Sequence, residues 1–164
     1  MGLIVTVTPN AALDHTLYVD ELRPGHRHRV RSEHAQAGGK GVNVARVLAG
    51  LGVAVRSVVI LGGETGHAIH SDLERARLAP VVIAADGESR TCIEILEDRP
   101  GRATQVHGAG VRATAQTARA LVAAAALRRD RRLHALALER DGGSDGVRGR
   151  GGAAAFPAHP DDLA

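Results

Sequence analysis

Within Gln36-Ala37-Gly38-Gly39-Lys40-Gly41-Val42-Asn43, three glycines, the chain's single lysine and an asparagine meet at the start of a helical pattern. Glycines let a backbone approach a bound group closely, and the first amides of a helix point unpaired toward electron-rich oxygens. Gly38, Gly39, Lys40 and Asn43 are therefore candidate contacts to a polar, oxygen-rich ligand; a tight loop before a core helix is the plain structural alternative. Two familiar phosphate cradles are excluded. A Walker loop needs four residues between its first glycine and a Gly-Lys-Ser/Thr, and here Gly41 follows the lysine. A dinucleotide fingerprint needs a third glycine where Val44 stands.

Asp14 lies just beyond the first apolar run, where an α/β fold places ligand contacts, although its carboxylate could equally tie down a turn. Arg27 and Arg29 share a face if His26 to Arg31 is extended, and such a pair could hold a phosphate through charge-assisted bonds. His26, His28 and His34 have no cysteine or suitably spaced carboxylate to complete a metal set, and His67 and His70 have no third ligand. These imidazoles are read as surface groups, and no metal site is expected.

The elements that must position these residues follow from periodicity. Leu3 to Thr8 reads as a buried strand, Ala11 to His15 as a loop, and Thr16 to Val19 as a second extended piece. The helix after the glycine loop is predicted to bury Val44, Val47, Leu48 and Leu51, spaced i, i+3, i+4, i+7, and to stop at Gly50 and Gly52. Val53 to Leu61 and Val81 to Ile83 read as further strands. Between them, Thr65-Gly66 starts a helix carrying Ile69 and Leu73. Ser89 to Leu96 and Ala103 to His107 form a predicted hairpin, and Thr114 caps a third helix through Ala126 with Leu121 and Val122 inward. Alternating strands and helices predict an α/β fold with a mainly parallel sheet covered on both faces. The excursions near residues 16–34 and 89–107 break that alternation and could pair as a small second sheet.

The 164 residues fit one domain, with a formal net charge of +3. Tyr18 and Phe156 are the only aromatics and alanine is abundant, so thin stability is expected from side chains that bury little area. Acidic and basic residues are interspersed without a nucleic-acid-binding pattern, which argues against a nucleic-acid partner. Cys92 is the only cysteine, excluding an internal disulfide and suiting a reducing compartment. No basic region precedes the first apolar run, and Ala120 to Leu127 is far shorter than a membrane span. A cytoplasmic chain without a membrane partner is expected.

From Arg128 the texture changes. Arg128 to Arg132 is a charge run, Leu133 to Leu138 could supply one strand or part of a helix, and Asp141 to Gly152 is mostly glycine, arginine and aspartate. Residues 128–164 are read as a low-complexity, poorly ordered tail, or as the product of a shifted reading frame.

Four segments carry a family resemblance: Thr8-Pro9-Asn10-Ala11-Ala12-Leu13-Asp14-His15-Thr16, Ala37-Gly38-Gly39-Lys40-Gly41-Val42-Asn43-Val44-Ala45, Leu61-Gly62-Gly63-Glu64-Thr65-Gly66 and Ser89-Arg90-Thr91. In order and rough spacing they resemble the ribokinase-like (PfkB) carbohydrate kinases, closest to the branch of 1-phosphofructokinase and tagatose-6-phosphate kinase. The resemblance covers about residues 1–127, the N-terminal part of such a kinase domain. It implies a ribokinase-like, mainly parallel sheet covered by helices, with a small β lid built from residues near 16–34 and 89–107. It also implies ATP- and Mg²⁺-dependent phosphoryl transfer to a hydroxyl of fructose 1-phosphate or tagatose 6-phosphate.

By this resemblance Asp14, Gly38, Gly39 and Asn43 bind sugar hydroxyls. Arg90 reaches the sugar phosphate, aided by a basic lid residue near Arg27 or Arg29, and the lid can form a homodimer contact. Three departures stand against full competence. Ala11 replaces the family's proline after Asn10, and His107-Gly108 stands where an Asn-Glu pair is usual. The Gly-Ser-Leu-Pro and Gly-Ala-Gly-Asp segments are absent. The last of these supplies the family's catalytic aspartate and anion hole. The expectation is thus an inactive fragment, truncated before the nucleotide-binding half, with no catalytic residue assigned and neither ATP nor Mg²⁺ bound productively. The alternative is a non-catalytic sugar-phosphate-binding or dimerising protein.

Overall fold

A computed structural model describes residues 3–99, 101–126 and 136–138. In chain order the elements are β1 (Ile4–Thr8), β2 (Ala12–Val19), β3 (Ser32–Gly38), α1 (Lys40–Gly50), β4 (Val55–Leu61), α2 (Gly63–Arg75), β5 (Val81–Ala84), β6 (Arg90–Glu97), β7 (Ala103–His107), α3 (Ala115–Ala126) and β8 (Leu136–Leu138). They form two sheets. One is parallel throughout, in the order β5-β4-β1-β8. The other has the order β3-β2-β6-β7, with β2 and β6 parallel and both outer pairs antiparallel. The two excursions expected near 16–34 and 89–107 do pair with each other as this second sheet. Within the segment 128–164, Leu136–Leu138 form β8 beside β1; the charge run at 128–132 and the stretch 141–152 lie outside the described residues.

Strand alternation gives the parallel sheet two apolar faces. On one, Val55, Val59 and Leu61 pack with Ala11, Ala37, Val42 and Ala45, and with Ile69, Leu73 and Leu78 at α2. On the other, Val5, Val7, Val58 and Ile60 meet Leu121 of α3, with Ala124 and Ala125 beside it. The sheet is therefore covered on both sides, by α1 and α2 on one and α3 on the other, as the alternating pattern predicts.

Four local readings need correction. The buried face of α1 is Gly41, Val42 and Ala45, with Leu48 and Ala49 partly buried, whereas Val47 is 64% and Leu51 73% exposed and Val44 also faces out. The reason is close approach. A Cβ at Gly41 would stand 2.5 Å from Thr8 Oγ1 and 2.7 Å from the Val7 carbonyl, so only small residues fit against β1. Likewise α3 buries Leu121 but leaves Val122 exposed. Ala11 to His15 is not a loop: β2 begins at Ala12, because its backbone finds β3 on one side and β6 on the other. Those two ladders override the local turn preference of Asn10 and Asp14. Finally, α2 starts at Gly63, two residues early, because the carboxylate of distant Glu88 accepts the N–H groups of Glu64 and Thr65 at 3.2 and 3.1 Å. The Thr114 cap forms as predicted, with the Thr117 N–H donating to Thr114 Oγ1 at 3.1 Å.

Candidate functional site

Register places three of the sequence-derived candidates, Asp14, Gly38 and Arg90, on one face of the second sheet. Gly38, Ala12 and Arg90 share one row across β3, β2 and β6. The next row on that face is Gln36, Asp14, Cys92 and His107, across all four strands. Asp14 and Arg90, separated by 76 positions in sequence, thus project from neighbouring rows at the end of the sheet nearest the glycine loop. Sheet pairing alone creates this proximity.

The two motif glycines of the loop have different reasons to be glycine. The carboxylate of Asp14 lies directly over Gly38, where any Cβ would collide with it. Gly39 precedes α1 with φ 108° and ψ 148°, a conformation that L side chains rarely adopt. That kink turns the chain from β3 straight into α1, in whose first turn Lys40 and Asn43 are exposed. The Asn43 N–H closes the first helical bond to the Gly39 carbonyl at 2.8 Å. The corner thus combines the Asp14 carboxylate from β2, an acceptor, with an ammonium at Lys40 and an amide side chain at Asn43 in the first turn of α1.

The second glycine pair anchors Ser89, the residue before Arg90. The Gly62 N–H donates to Ser89 Oγ at 3.0 Å, and the Ser89 N–H donates to the Gly62 carbonyl at 2.9 Å. A Cβ at Gly62 would stand 2.5 Å from the Ala85 carbonyl, so this corner also requires close backbone approach. Asn10 joins the same end of the site, donating to the Ala109 carbonyl at 3.4 Å. Sequence reasoning did not single out Ser89 or Glu88 as positioning groups. Their partners lie more than 20 residues upstream, and no local periodicity links them.

Arg27 and Arg29 are not brought to this corner within one chain. Both are exposed on the connection after Val19, which leaves β2 at the end opposite Asp14. No strand runs from His26 to Arg31: the chain turns near Gly25 and β3 begins at Ser32, with the Arg31 N–H already donating to the Tyr18 carbonyl at 2.8 Å. Imidazoles at His26, His28 and His34 form no metal cluster, nor do any other His, Cys, Asp or Glu side chains among the described residues. The His28 ring instead bonds the backbone of Arg23. Cys92 Sγ stands 3.3 Å from His107 Nδ1, a pairing that the hairpin register dictates.

The end of the second sheet away from Asp14 is held by carboxylates. The Glu97 side chain is only 1% exposed. It accepts a two-pronged contact from Arg102, Nε at 3.0 Å and Nη2 at 2.9 Å, and the Leu22 N–H at 2.9 Å. Asp98 receives Arg31 Nη1 at 2.6 Å. The Arg102 bonds, then the Leu22 amide, hold Glu97 below the usual glutamate range, and the Arg31 bond does the same for Asp98. A carboxylate whose folded pKa is depressed stabilises the fold above its unfolded pKa, and that contribution is lost as pH falls through the folded value. The melting temperature is therefore expected to drop on acidification from about pH 6 to about pH 3. Glu97→Gln is expected to lower the melting temperature at neutral pH and to make it less sensitive to acid. Circular-dichroism melts across that range check both; an unchanged acid slope in the variant would remove Glu97 from the account.

Asp72, on α2, touches the glycine loop directly. Its Oδ2 accepts the Ala37 N–H at 2.9 Å and Arg46 Nη2 at 2.8 Å, while Oδ1 accepts Arg75 Nη2 at 3.1 Å. Partial burial pushes this carboxyl up, but the Ala37 amide and then Arg46 outweigh it and hold it below its ordinary range.

The chain has relatives among known proteins. The description "pfkB family carbohydrate kinase" fits residues 5–134. The chain is 37% identical over 95 residues to the 1-phosphofructokinase of Haloferax volcanii, covering 57% of this chain and 31% of that protein. It is 35% identical over 104 residues to the tagatose-6-phosphate kinase of Staphylococcus epidermidis, covering 63% and 33%. Among solved structures, phosphofructokinase-2 from Escherichia coli in complex with fructose-6-phosphate superimposes with a TM-score of 0.69 at 25% identity, covering 74% of this chain and 40% of that one. The chain thus spans about a third of the length of the curated relatives it matches. With its parallel sheet, covering helices and paired second sheet, the fold is ribokinase-like α/β, and the chain belongs to the pfkB family of carbohydrate kinases.

Proposed function

We propose that this chain binds a phosphorylated sugar of the fructose 1-phosphate or tagatose 6-phosphate class, as the acceptor side of an ATP-dependent sugar-phosphate kinase. The observation that carries the reading is the meeting of Asp14, Gly38 and Arg90 on one face of the second sheet, next to the α1 start. The Asp14 carboxylate accepts hydrogen bonds from sugar hydroxyls, and the Asn43 side chain supplies both a donor and an acceptor. The Arg90 guanidinium matches the phosphate through parallel N–H donors. Gly38 and Gly39 allow the sugar to lie against backbone, and Lys40 adds positive charge at the rim. The relatives that support the substrate class are named for 1-phosphofructokinase and tagatose-6-phosphate kinase activity.

The family uses ATP and a metal. The Gly-Ala-Gly-Asp segment, which the resemblance makes the source of the catalytic aspartate and anion hole, is absent from the sequence. Phosphoryl transfer depends on positioning and on stabilising charge at the transferred group, and neither ATP nor Mg²⁺ is assigned residues in this chain. Asp14 is a binding group in this reading, not a base, and the 164-residue chain alone does not turn over.

Calorimetric titration with fructose 1-phosphate and tagatose 6-phosphate, paired with a coupled ATP-dependent kinase assay, tests the proposal. Saturable binding without turnover is expected, with affinity about a hundredfold weaker in Arg90→Met, since a charge-assisted phosphate contact is lost. Absence of binding in a cooperatively folded sample overturns the ligand assignment. Turnover that Asp14→Ala abolishes overturns the non-catalytic part. A lid-mediated dimer is a second reading, favoured by Val106 at 57% exposure beside the half-buried Leu17, Ile93 and Ile95 on the sheet face opposite Asp14. Sedimentation of the same sample decides it, a strict monomer at millimolar concentration being the contrary result.

A further inference from the structure

We propose that Asp72 and Arg46 act together as positioning residues for the sugar site, by clamping both backbone groups of Ala37 immediately before the Gly38-Gly39 turn. The inference rests on the sugar-phosphate reading above. β3 is an edge strand of the second sheet, so one side of its backbone has no strand to pair with. Ala37 is fully buried there. Its N–H is taken by Asp72 Oδ2 at 2.9 Å and its C=O by Arg46 Nη2 at 3.1 Å, and the same guanidinium nitrogen joins the same carboxylate oxygen at 2.8 Å. Carboxylate and guanidinium thus stand in for a missing neighbouring strand at one residue.

The clamp draws its two side chains from the two helices that flank the site, Arg46 from α1 and Asp72 from α2. What it holds is the last step of β3 before Gly38, over which the Asp14 carboxylate lies, and before the φ 108° turn at Gly39. Without the clamp, two buried backbone polar groups at Ala37 lose their partners, and the chain can relieve this only by shifting or opening. Either movement displaces Gly38 and Gly39 relative to Asp14. Asp72 and Arg46 never need to touch the sugar to control its affinity.

Arg75 separates this role from simple ion pairing. It binds Oδ1 of Asp72 at 3.1 Å from an exposed position, whereas the Ala37 N–H donates to Oδ2. Four single variants, Asp72→Asn, Arg46→Met, Arg46→Lys and Arg75→Ala, would be compared by amide hydrogen exchange, melting temperature and titration with fructose 1-phosphate. In Asp72→Asn and Arg46→Met, exchange at residues 37–41 is expected to rise about tenfold and the dissociation constant to weaken by a similar factor, the effect of losing one charge-assisted bond. Exchange in β4 should stay as in the unaltered protein. Arg46→Lys is expected to recover melting temperature through its charge but not affinity, because a single ammonium lacks the planar donor set. Arg75→Ala should change neither local exchange nor affinity.

Uniform acceleration of exchange across the fold, or affinity that simply tracks melting temperature through the series, would overturn the positioning role. Unchanged exchange at 37–41 in both Asp72→Asn and Arg46→Met would do the same. Were the unaltered protein to bind no fructose 1-phosphate, the functional reading would fall, while the exchange pattern would still decide whether Asp72 and Arg46 fix the loop.

Discussion

Gly38→Ala is expected to weaken fructose 1-phosphate binding by about a hundredfold or more. The added Cβ would occupy the space of the Asp14 carboxylate. To admit it, either Asp14 must swing off the face it shares with Arg90, or β2 and β3 must separate at the Ala12–Gly38 pair. The first removes a hydroxyl acceptor from the site; the second breaks the ladder that supports it. Gly50→Ala is the matched control, since nothing lies within 4 Å of its Cβ position and it sits in the last turn of α1. That change is expected to leave binding alone and to stabilise by up to about 1 kcal/mol, the usual helix gain of alanine over glycine. Calorimetry on both variants checks the contrast. Binding by Gly38→Ala equal to the unaltered protein would mean that Asp14 does not work from its present position.

Leu73→Ala is expected to cost about 2–5 kcal/mol of folding stability, from lost apolar transfer plus the cavity left behind. Leu73 is fully buried, and the cluster around it includes Ala11, Ala37, Val42, Ala45, Ile69 and Leu78. Alanines and valines have no length with which to fill the gap, so the site should not collapse and the loss should fall high in that range. Against a total stability of about 5–15 kcal/mol for an ordinary domain, one such change removes a large share. Urea denaturation should show a lower midpoint with an unchanged slope, because the surface exposed on unfolding stays nearly the same. A loss below about 1 kcal/mol would show that this core relaxes around the deletion, contrary to close packing.

Much of the site was already legible in local sequence. The Gly38-Gly39-Lys40-Gly41 run followed by a helix, the start of β6 at Arg90 and the hairpin to His107 all appear as expected, because each depends on residues adjacent in the chain. Glycine punctuation and strand alternation are local signals, and they carry far enough to identify the two sheets and both motif corners. The four matching segments also point to the family that the comparisons establish.

Which face of α1 is buried, and what holds the glycine loop, were decided only in three dimensions. Val44, Val47, Leu48 and Leu51 make a regular apolar stripe, yet the helix lies so close to β1 that Gly41, Val42 and Ala45 face the sheet instead. Periodicity says that a helix has an apolar face; the distance of approach says which one. Asp14 reads as a loop residue until β3 and β6 close on either side of it. Asp72 and Arg46 have no sequence motif at all, because their shared target is the backbone of Ala37, and every residue but proline offers the same backbone groups. The sequence by itself determined the elements, the glycine corners and the polar residues at their ends. The tertiary structure decided which of those residues meet, because strand order and packing distance depend on contacts between segments that carry no record of one another locally.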